Sequence, residues 1–244
     1  MKKWGRIAAL VAVMGAVALA AGCAATTTAL RYKDLDVQTR MSDSIFLEPV
    51  PPAQRTVFIQ VRNTSDKPFD IQKDVAAAIA AKGYKVVNDP RKAHYILQAN
   101  VLQVGRTDKS ALENALAAGY GGAIAGAAIG GLLGGDKPVR GAVVGGLVGS
   151  AIEAVTGSLV KVVWYAVITD VQISERTSTP VSQQTSSRLR QGTSTTVTQR
   201  SASTTHWKRY RTRIISSARK VDLTFEEAYP LLRQGLVRAI SGLF

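Results

Sequence analysis

Glycines that recur at every fourth position constrain the fold of this chain more than any other feature of its sequence. They form two series, Gly122, Gly126, Gly130 and Gly134, and then Gly141, Gly145 and Gly149. On a helix this spacing places them in one stripe, where missing side chains let a second helix come into backbone contact. The pattern therefore predicts two closely packed helices over 111–133 and 139–157, joined by a turn at 136–140.

The two predicted helices have about the length of a hydrocarbon layer. At 1.5 Å per residue they would measure about 34 Å and about 28 Å, against roughly 30 Å for a bilayer core. Glycine costs about 1 kcal/mol per helical position relative to alanine, so such helices need close neighbours, which favours an oligomer. A disordered linker and a helical hairpin packed on the domain in water stay open as alternatives. We expect a glycine-rich membrane hairpin over 111–157, with the seven glycines as helix-packing residues.

Residues 1–22 have the features of an export signal. A basic start precedes an apolar run over 7–21, and Gly22 and Cys23 follow it. Leu-Ala-Ala-Gly-Cys at 19–23 resembles a lipobox, which implies cleavage before Cys23 and covalent diacylglycerol and N-acyl chains on that residue. The usual leucine three places before the cysteine is here alanine. An ordinary signal peptide with an incidental cysteine is the alternative, although Cys23 is the only cysteine of the chain.

The rest of the chain predicts an α+β domain built from two separate parts. Residues 23–54 are the lipidated N-terminus and a tether, stiffened by three prolines near its end. Apolar periodicity predicts strands at 56–62, 84–87, 94–104, 159–173 and 207–223, and helices at 71–82 and 225–243. We therefore predict a mostly antiparallel sheet with two packing helices, formed by 55–110 and 158–244 and interrupted by the inserted glycine-rich hydrophobic helical hairpin.

Residues 174–205 are rich in serine and threonine, which occupy 17 of the 32 positions. Such a composition is typical of a flexible loop. Threonine and valine also favour strands, so a polar two-stranded arm that turns at Gln191 and Gly192 is the alternative, and we favour it slightly.

The formal net charge of +14 indicates an anionic partner. Ten lysines and arginines, and no acidic residue, lie between Glu175 and Asp222. The interleaved bases and aromatics of 207–213 allow nucleic-acid stacking. Anionic lipid or lipopolysaccharide phosphate is the more ordinary partner for an envelope protein, and a merely solvated face is a further alternative. We expect membrane lipid or lipopolysaccharide, and no nucleic acid.

No catalytic or metal-binding pattern is present in the sequence. His94 and His206 are the only histidines, no second cysteine accompanies Cys23, and no Gly-x-Ser-x-Gly turn occurs. We therefore predict that the protein is not an enzyme and binds no metal or cofactor beyond the acyl chains on Cys23.

Several stretches, taken in order, resemble one known family. They are the Met-Lys-Lys start, Ala-Ala-Gly-Cys at 20–23, Ser-Asp-Ser-Ile-Phe-Leu at 42–47, the paired glycine-rich runs, and Arg-Lys-Val-Asp-Leu-Thr-Phe-Glu-Glu-Ala at 219–228. This order resembles the TraT family, the surface-exclusion lipoproteins of conjugative plasmids. The resemblance covers essentially the whole chain.

The resemblance implies an abundant, oligomeric lipoprotein exposed at the surface of the outer membrane. Such a protein blocks redundant mating between cells that carry related plasmids, and it is associated with resistance to serum complement. The implied partners are further copies of the chain, membrane lipid or lipopolysaccharide, and a donor-cell mating-apparatus or outer-membrane protein. Two alternatives remain from the residues alone: a glycine-zipper envelope lipoprotein that forms a structural ring or pore, and an envelope enzyme.

Overall fold

A computed structural model describes residues 32–124, 161–191 and 195–244 of the chain. The predicted signal peptide, Cys23, and all glycines of the two series except Gly122 lie outside these residues. The described part contains six strands: β1 Asp36–Met41, β2 Thr56–Asn63, β3 Lys85–Val86, β4 Tyr95–Thr107, β5 Val162–Gln191 and β6 Thr195–Val221. It contains three α-helices: α1 Gln72–Ala80, α2 Lys109–Ala118 and α3 Phe225–Ser241.

The six strands form one mixed sheet in the order β1-β6-β5-β4-β2-β3. The pairs β1–β6, β6–β5 and β5–β4 are antiparallel, whereas β2 runs parallel to both β3 and β4. The prediction of a mostly antiparallel sheet was therefore wrong for the part of the sheet that contains β3, β2 and β4. Its physical reason is the crossover through α1, because only such a connection brings the following strands back in parallel to β2.

The main core lies on one face of the sheet, under α1 and α3. Helix α1 buries Val75 and Ile79, and helix α3 buries Leu232, Leu236 and Ile240 against the sheet. Helix α3 begins after Thr224, whose hydroxyl accepts a hydrogen bond from the Glu227 amide at 3.3 Å. These two helices match the two that apolar periodicity predicts.

The third helix, α2, packs on the opposite face and corrects the hairpin prediction. Asp108 caps it by accepting a hydrogen bond from the Ala111 amide at 2.8 Å, and it ends at Ala118. Gly119 follows with a φ of 63°, a conformation that glycine adopts readily and that ends the helix. A ten-residue helix measures about 15 Å, so the predicted helix over 111–133 was wrong. Among the described residues no helix is long and apolar enough to span a membrane, and the rest of the predicted hairpin lies outside them.

Strands β5 and β6 continue well beyond the other strands as a two-stranded arm. They pair from Val162 and Val221 as far as Gln191 and Thr195. The pairing is irregular between Arg176 and Val181, where the residues 177–180 interrupt the register. Pro180 lies in this bulge, one of the few positions in a sheet that tolerate a residue without an amide hydrogen. The serine- and threonine-rich segment thus has the two-stranded form of the two alternatives.

The residues that precede β1 and the residue that precedes β5 lie together at the end of the β5–β6 hairpin opposite the arm. The amide of Val221 donates to the Tyr32 carbonyl at 3.0 Å, and the amide of Asp222 donates to the Lys161 carbonyl at 3.0 Å. The chain before residue 32 and the chain before residue 161 therefore both join the domain at this end, which we call the base.

Candidate functional site

Gly122 is the one predicted helix-packing glycine among the described residues, and it lies in the turn after α2. A β-carbon at this position would overlap the carbonyl oxygen of Ala118. The backbone of this turn therefore approaches the end of α2 more closely than any side chain allows. Gly122 therefore allows a tight turn after α2, and its role in helix packing stays a prediction.

A buried ion pair holds this turn on the sheet. Arg213 on β6 is fully buried, and it lies directly opposite Asp170 on β5. Its Nε and Nη2 atoms donate to the two carboxylate oxygens of Asp170 at 2.7 and 3.1 Å. Such a two-point pairing is the strongest form of a charged hydrogen bond between side chains.

The same two side chains also satisfy the backbone around the end of α2. Arg213 donates from Nη1 to the carbonyl of Ala115 at 3.1 Å and from Nη2 to the carbonyl of Gly122 at 2.9 Å. The amide of Gly121 donates to Asp170 at 2.8 Å. Every charged atom of the pair thus has partners, which is the condition under which a buried ion pair is tolerated. We call Asp170 and Arg213, with the turn that they hold, the closed row.

The next row of side chains along the same face is open to solvent. Gln60, Gln98, Gln172 and Arg211 lie opposite one another on β2, β4, β5 and β6. Arg211 donates to Gln172 at 2.8 Å, Gln172 donates to Gln98 at 3.2 Å, and Gln98 donates to Gln60 at 3.1 Å. We call these four residues the open row. With strands about 4.8 Å apart it is about 14 Å long.

All hydrogen bonds of the open row run in one direction, starting from the arginine. Each such bond polarises the next, so the chain strengthens along its length. A glutamine amide has two N–H groups and an oxygen with two lone pairs. The row uses one N–H of Gln98 and one of Gln172, so the second N–H of each amide is available to water or a ligand.

Positive charge surrounds the open row. The exposed arginines that strand alternation places on this face near the row include Arg62, Arg176, Arg209 and Arg211. Asp170, the carboxylate two residues from the row on β5, is paired with Arg213. A groove of about 330 Å³ lies over the three glutamines of the open row, with Tyr120 and Gly121 on its rim. Its electrostatics favour an anionic ligand.

Arginines cover the aromatic rings at both borders of this surface. The guanidinium of Arg211 lies 5.2 Å from the ring centre of Tyr120, and that of Arg176 lies 4.6 Å from the ring centre of Trp207. Arg176 also donates to the carbonyls of Ala93 and Arg91 at 3.1 and 2.8 Å. The interleaved bases and aromatics of the sequence are thus used in stacks within the chain.

His94 lies beside Arg176 with a buried Nε2 atom that has no hydrogen-bond partner among the described residues. Burial lowers the pKa of His94, the nearby Glu175 opposes this shift, and Arg176 adds to it. On the other face, burial raises the pKa of Tyr210, whose hydroxyl donates to Glu175 at 2.9 Å. Neither histidine belongs to a cluster of metal ligands in the part of the chain that the structure describes.

Sequence reasoning missed both rows. Asp170 and Arg213 stand in strands that were predicted, yet no local pattern marks a residue as paired across the sheet. The three glutamines are separated by 38 and 74 positions, and only the register of the strands brings them together. Sequence reasoning could find such a row only by asking which polar residues lie opposite one another on neighbouring strands, and that question requires the strand register.

Comparison with known proteins identifies the relatives of this chain. The sequence profile described as Enterobacterial TraT complement resistance protein matches residues 34–244. The chain belongs to the TraT family. A TraT complement resistance protein of Escherichia coli is 41% identical over 250 aligned residues, which cover 100% of both chains. One from Escherichia coli strain K12 is 43% identical over 241 residues and 96% of both chains.

A more distant relative covers part of the chain. A TraT complement resistance protein of Wigglesworthia glossinidia brevipalpis is 34% identical over 84 residues, or 34% of each chain. The TraT profile spans both rows, the arm and α3. The resemblance to the TraT family predicted from the sequence is confirmed. The names of these relatives refer to complement resistance, not to a catalysed reaction.

Proposed function

We propose that this chain is an oligomeric outer-membrane lipoprotein, anchored through acyl chains on Cys23, that mediates surface exclusion and contributes to complement resistance. Membership in a family named for complement resistance supports the second activity. Surface exclusion is the obstruction of redundant plasmid transfer between cells that carry related plasmids. It requires a surface that reaches the approaching cell or its mating apparatus.

The opposite placement of the base and the arm is the observation that carries this proposal. Tyr32 lies at the base, and the residues 24–31 that link it to Cys23 extend over at most about 32 Å. The unsupported part of the arm begins near Thr205, sixteen residues along β6 from Val221, or about 53 Å away. An anchor at the base therefore directs the arm away from the acylated membrane surface.

The open edges of the arm support self-association. Beyond Val181 and Thr205, the two strands pair only with each other among the described residues. A two-stranded hairpin is marginally stable alone in water, and its unpaired backbone groups are a template for further strands. A neighbouring copy of the chain would supply such strands, which would stabilise the arm in an oligomer.

A mating assay with three versions of the protein tests the proposal. Recipient cells would carry the wild-type chain, Cys23→Ser, or a short-arm variant in which Asn-Gly replaces 183–203 between the paired residues Ser182 and Thr204. We expect the wild type to lower plasmid transfer and both variants to restore it by at least tenfold. Survival in serum would be measured on the same cells.

Two controls separate loss of function from loss of the protein. Thermal unfolding of the purified short-arm variant should resemble that of the wild type, because the strands beyond Val181 and Thr205 pair only with each other among the described residues. Membrane fractionation should release the Cys23→Ser protein and retain the short-arm protein. If wild-type recipients accept plasmids as readily as cells without the protein, surface exclusion is rejected.

A further inference from the structure

The open row differs from an ordinary solvated sheet surface because its amides are lined up and its charges have one sign. Arg211 ends the row, Arg62 lies two residues beyond Gln60 on β2, and the carboxylate of Asp170 in the neighbouring row is paired with Arg213. A ligand that carries negative charge would thus be attracted to this groove, where, among the described residues that line it, the one carboxylate is Asp170 and has its counter-ion.

The amides specify the chemistry of the ligand more closely than the charge does. Gln98 and Gln172 each offer a second N–H and further lone pairs to the groove. Planar groups that both donate and accept match vicinal hydroxyls, which also both donate and accept. The guanidinium groups of Arg211 at the end of the row and of Arg62 beside it suit phosphate or carboxylate oxygens. A hydroxyl-rich chain that carries acidic groups fits both features.

The shape and the aromatic residues favour a sugar chain over a nucleic acid. Sheet faces bind oligosaccharides and oligonucleotides in other folds, but single-stranded nucleic acids depend on free aromatic platforms for their bases. Here Arg211 already covers one face of Tyr120, and Arg176 covers one face of Trp207. The centre of the surface consists of amides, and a row about 14 Å long spans several sugar units.

We propose that the open row binds an acidic oligosaccharide of the kind that forms the phosphorylated core of lipopolysaccharide. This inference rests on the proposed location in the outer membrane. Gln98 and Gln172 bind the sugar hydroxyls, and Arg62 and Arg211 bind the phosphate groups. The closed row keeps Tyr120 and Gly121 in place as the rim of the groove.

The test measures binding of delipidated, phosphorylated core oligosaccharide to the full-length protein in detergent by isothermal titration calorimetry. We expect the double variant Gln98→Ala with Gln172→Ala to bind at least tenfold more weakly than the wild type. Arg62→Ala should weaken binding about fivefold. The matched controls Gln234→Ala and Arg238→Ala lie on exposed positions of α3, across the sheet, and should change affinity less than twofold.

Two further ligands distinguish the possible sources of binding. Enzymatically dephosphorylated oligosaccharide should bind at least tenfold more weakly, because it lacks the groups that the arginines bind. A single-stranded oligonucleotide of equal charge should not compete. No measurable binding of the oligosaccharide, equal affinity of the double variant, or stronger binding of the oligonucleotide would each overturn the proposal.

The same variants in the mating assay separate this inference from the proposed function. Wild-type protein that blocks plasmid transfer but binds no oligosaccharide would reject the ligand and leave surface exclusion standing. Wild-type protein that binds oligosaccharide but does not affect transfer would reject surface exclusion and leave the binding surface standing.

Discussion

The closed row and the open row are neighbours on one face of one sheet, two residues apart along each strand, yet their environments are opposite. Arg213 of the closed row is fully buried and has four hydrogen bonds to Asp170 and to the backbone around the end of α2. Arg211 of the open row is exposed and starts a chain of amides. The turn at 119–122 makes this difference, because its backbone is bonded to Asp170 and Arg213, whereas it meets the open row through the Tyr120 ring beside Arg211.

The comparison shows that arginines two residues apart on one strand have different roles, depending on whether other parts of the chain bury them. A buried charge is a liability unless all its partners are in place, so the closed row stabilises the fold only as a complete unit. An exposed row contributes little to stability and is free to serve a ligand.

The largest expected effect is that of Arg213→Met. It leaves the carboxylate of Asp170 buried without its counter-ion, which we expect to cost about 3–5 kcal/mol of unfolding free energy. Urea unfolding followed by tryptophan fluorescence measures this loss. The control is Arg219→Met, which breaks the partly exposed pair with Asp36 and should cost about 1 kcal/mol. Similar losses for the two variants would show that the buried pair of the closed row matters no more to the fold than a partly exposed ion pair.

Gly122→Ala should have the next largest effect. The added methyl group would collide with the carbonyl of Ala118 and displace the Gly122 carbonyl from Arg213. Such overpacking costs about 1–3 kcal/mol. The comparison is Gly83→Ala, where a β-carbon meets open space and only a positive φ opposes the substitution. Equal or smaller loss at Gly122, measured by the same unfolding method, would contradict the tight approach.

The sequence predicted the packed face of the domain better than the face that carries the site. Apolar periodicity located α1 and α3, since burial on one side leaves a regular pattern along a single element. The parallel pairing of β2 was missed because strand direction depends on how the chain crosses over, which no residue of β2 records. The end of α2 was missed because the predicted helix was continued through Gly119, although glycine commonly ends a helix.

Contacts between side chains on neighbouring strands could not be predicted from the sequence either, because they depend on the strand register. The pairing of Asp170 with Arg213 and the alignment of Gln98 with Gln172 exist only once the register is known. Seven predicted residues, Cys23 and six glycines of the two series, lie outside the described residues and stay predictions.

His94, at the border of the open surface beside Arg176, should make the stability of the protein depend on pH, with a smaller effect than the substitutions above. Burial lowers the pKa of His94 in the folded state, so the unfolded chain binds its proton more readily. Stability should therefore be fully present above the unfolded value of about 6.5 and decrease as the pH falls below it. Urea unfolding at pH 7.5 and pH 5.5 measures the change. In His94→Asn the part of this change due to His94 should vanish; an identical pH dependence in both proteins would remove His94 as its source.

The smallest expected effect on stability is that of Gln172→Ala. Its amide is partly exposed and makes hydrogen bonds that water can replace, so the unfolding free energy should change by no more than about 0.5 kcal/mol. A loss above about 2 kcal/mol would mean that the open row, like the closed row, holds the sheet together.

Side-chain amide signals of the glutamines test the central claim most directly. The ¹⁵N–¹H spectrum of the labelled full-length protein would be recorded during titration with phosphorylated core oligosaccharide. The described arrangement predicts that the amides of Gln98 and Gln172 shift with the same saturation curve, while those of Gln38 and Gln234 keep their positions. Unmoved signals from Gln98 and Gln172, or equal shifts in all four amides, would contradict it.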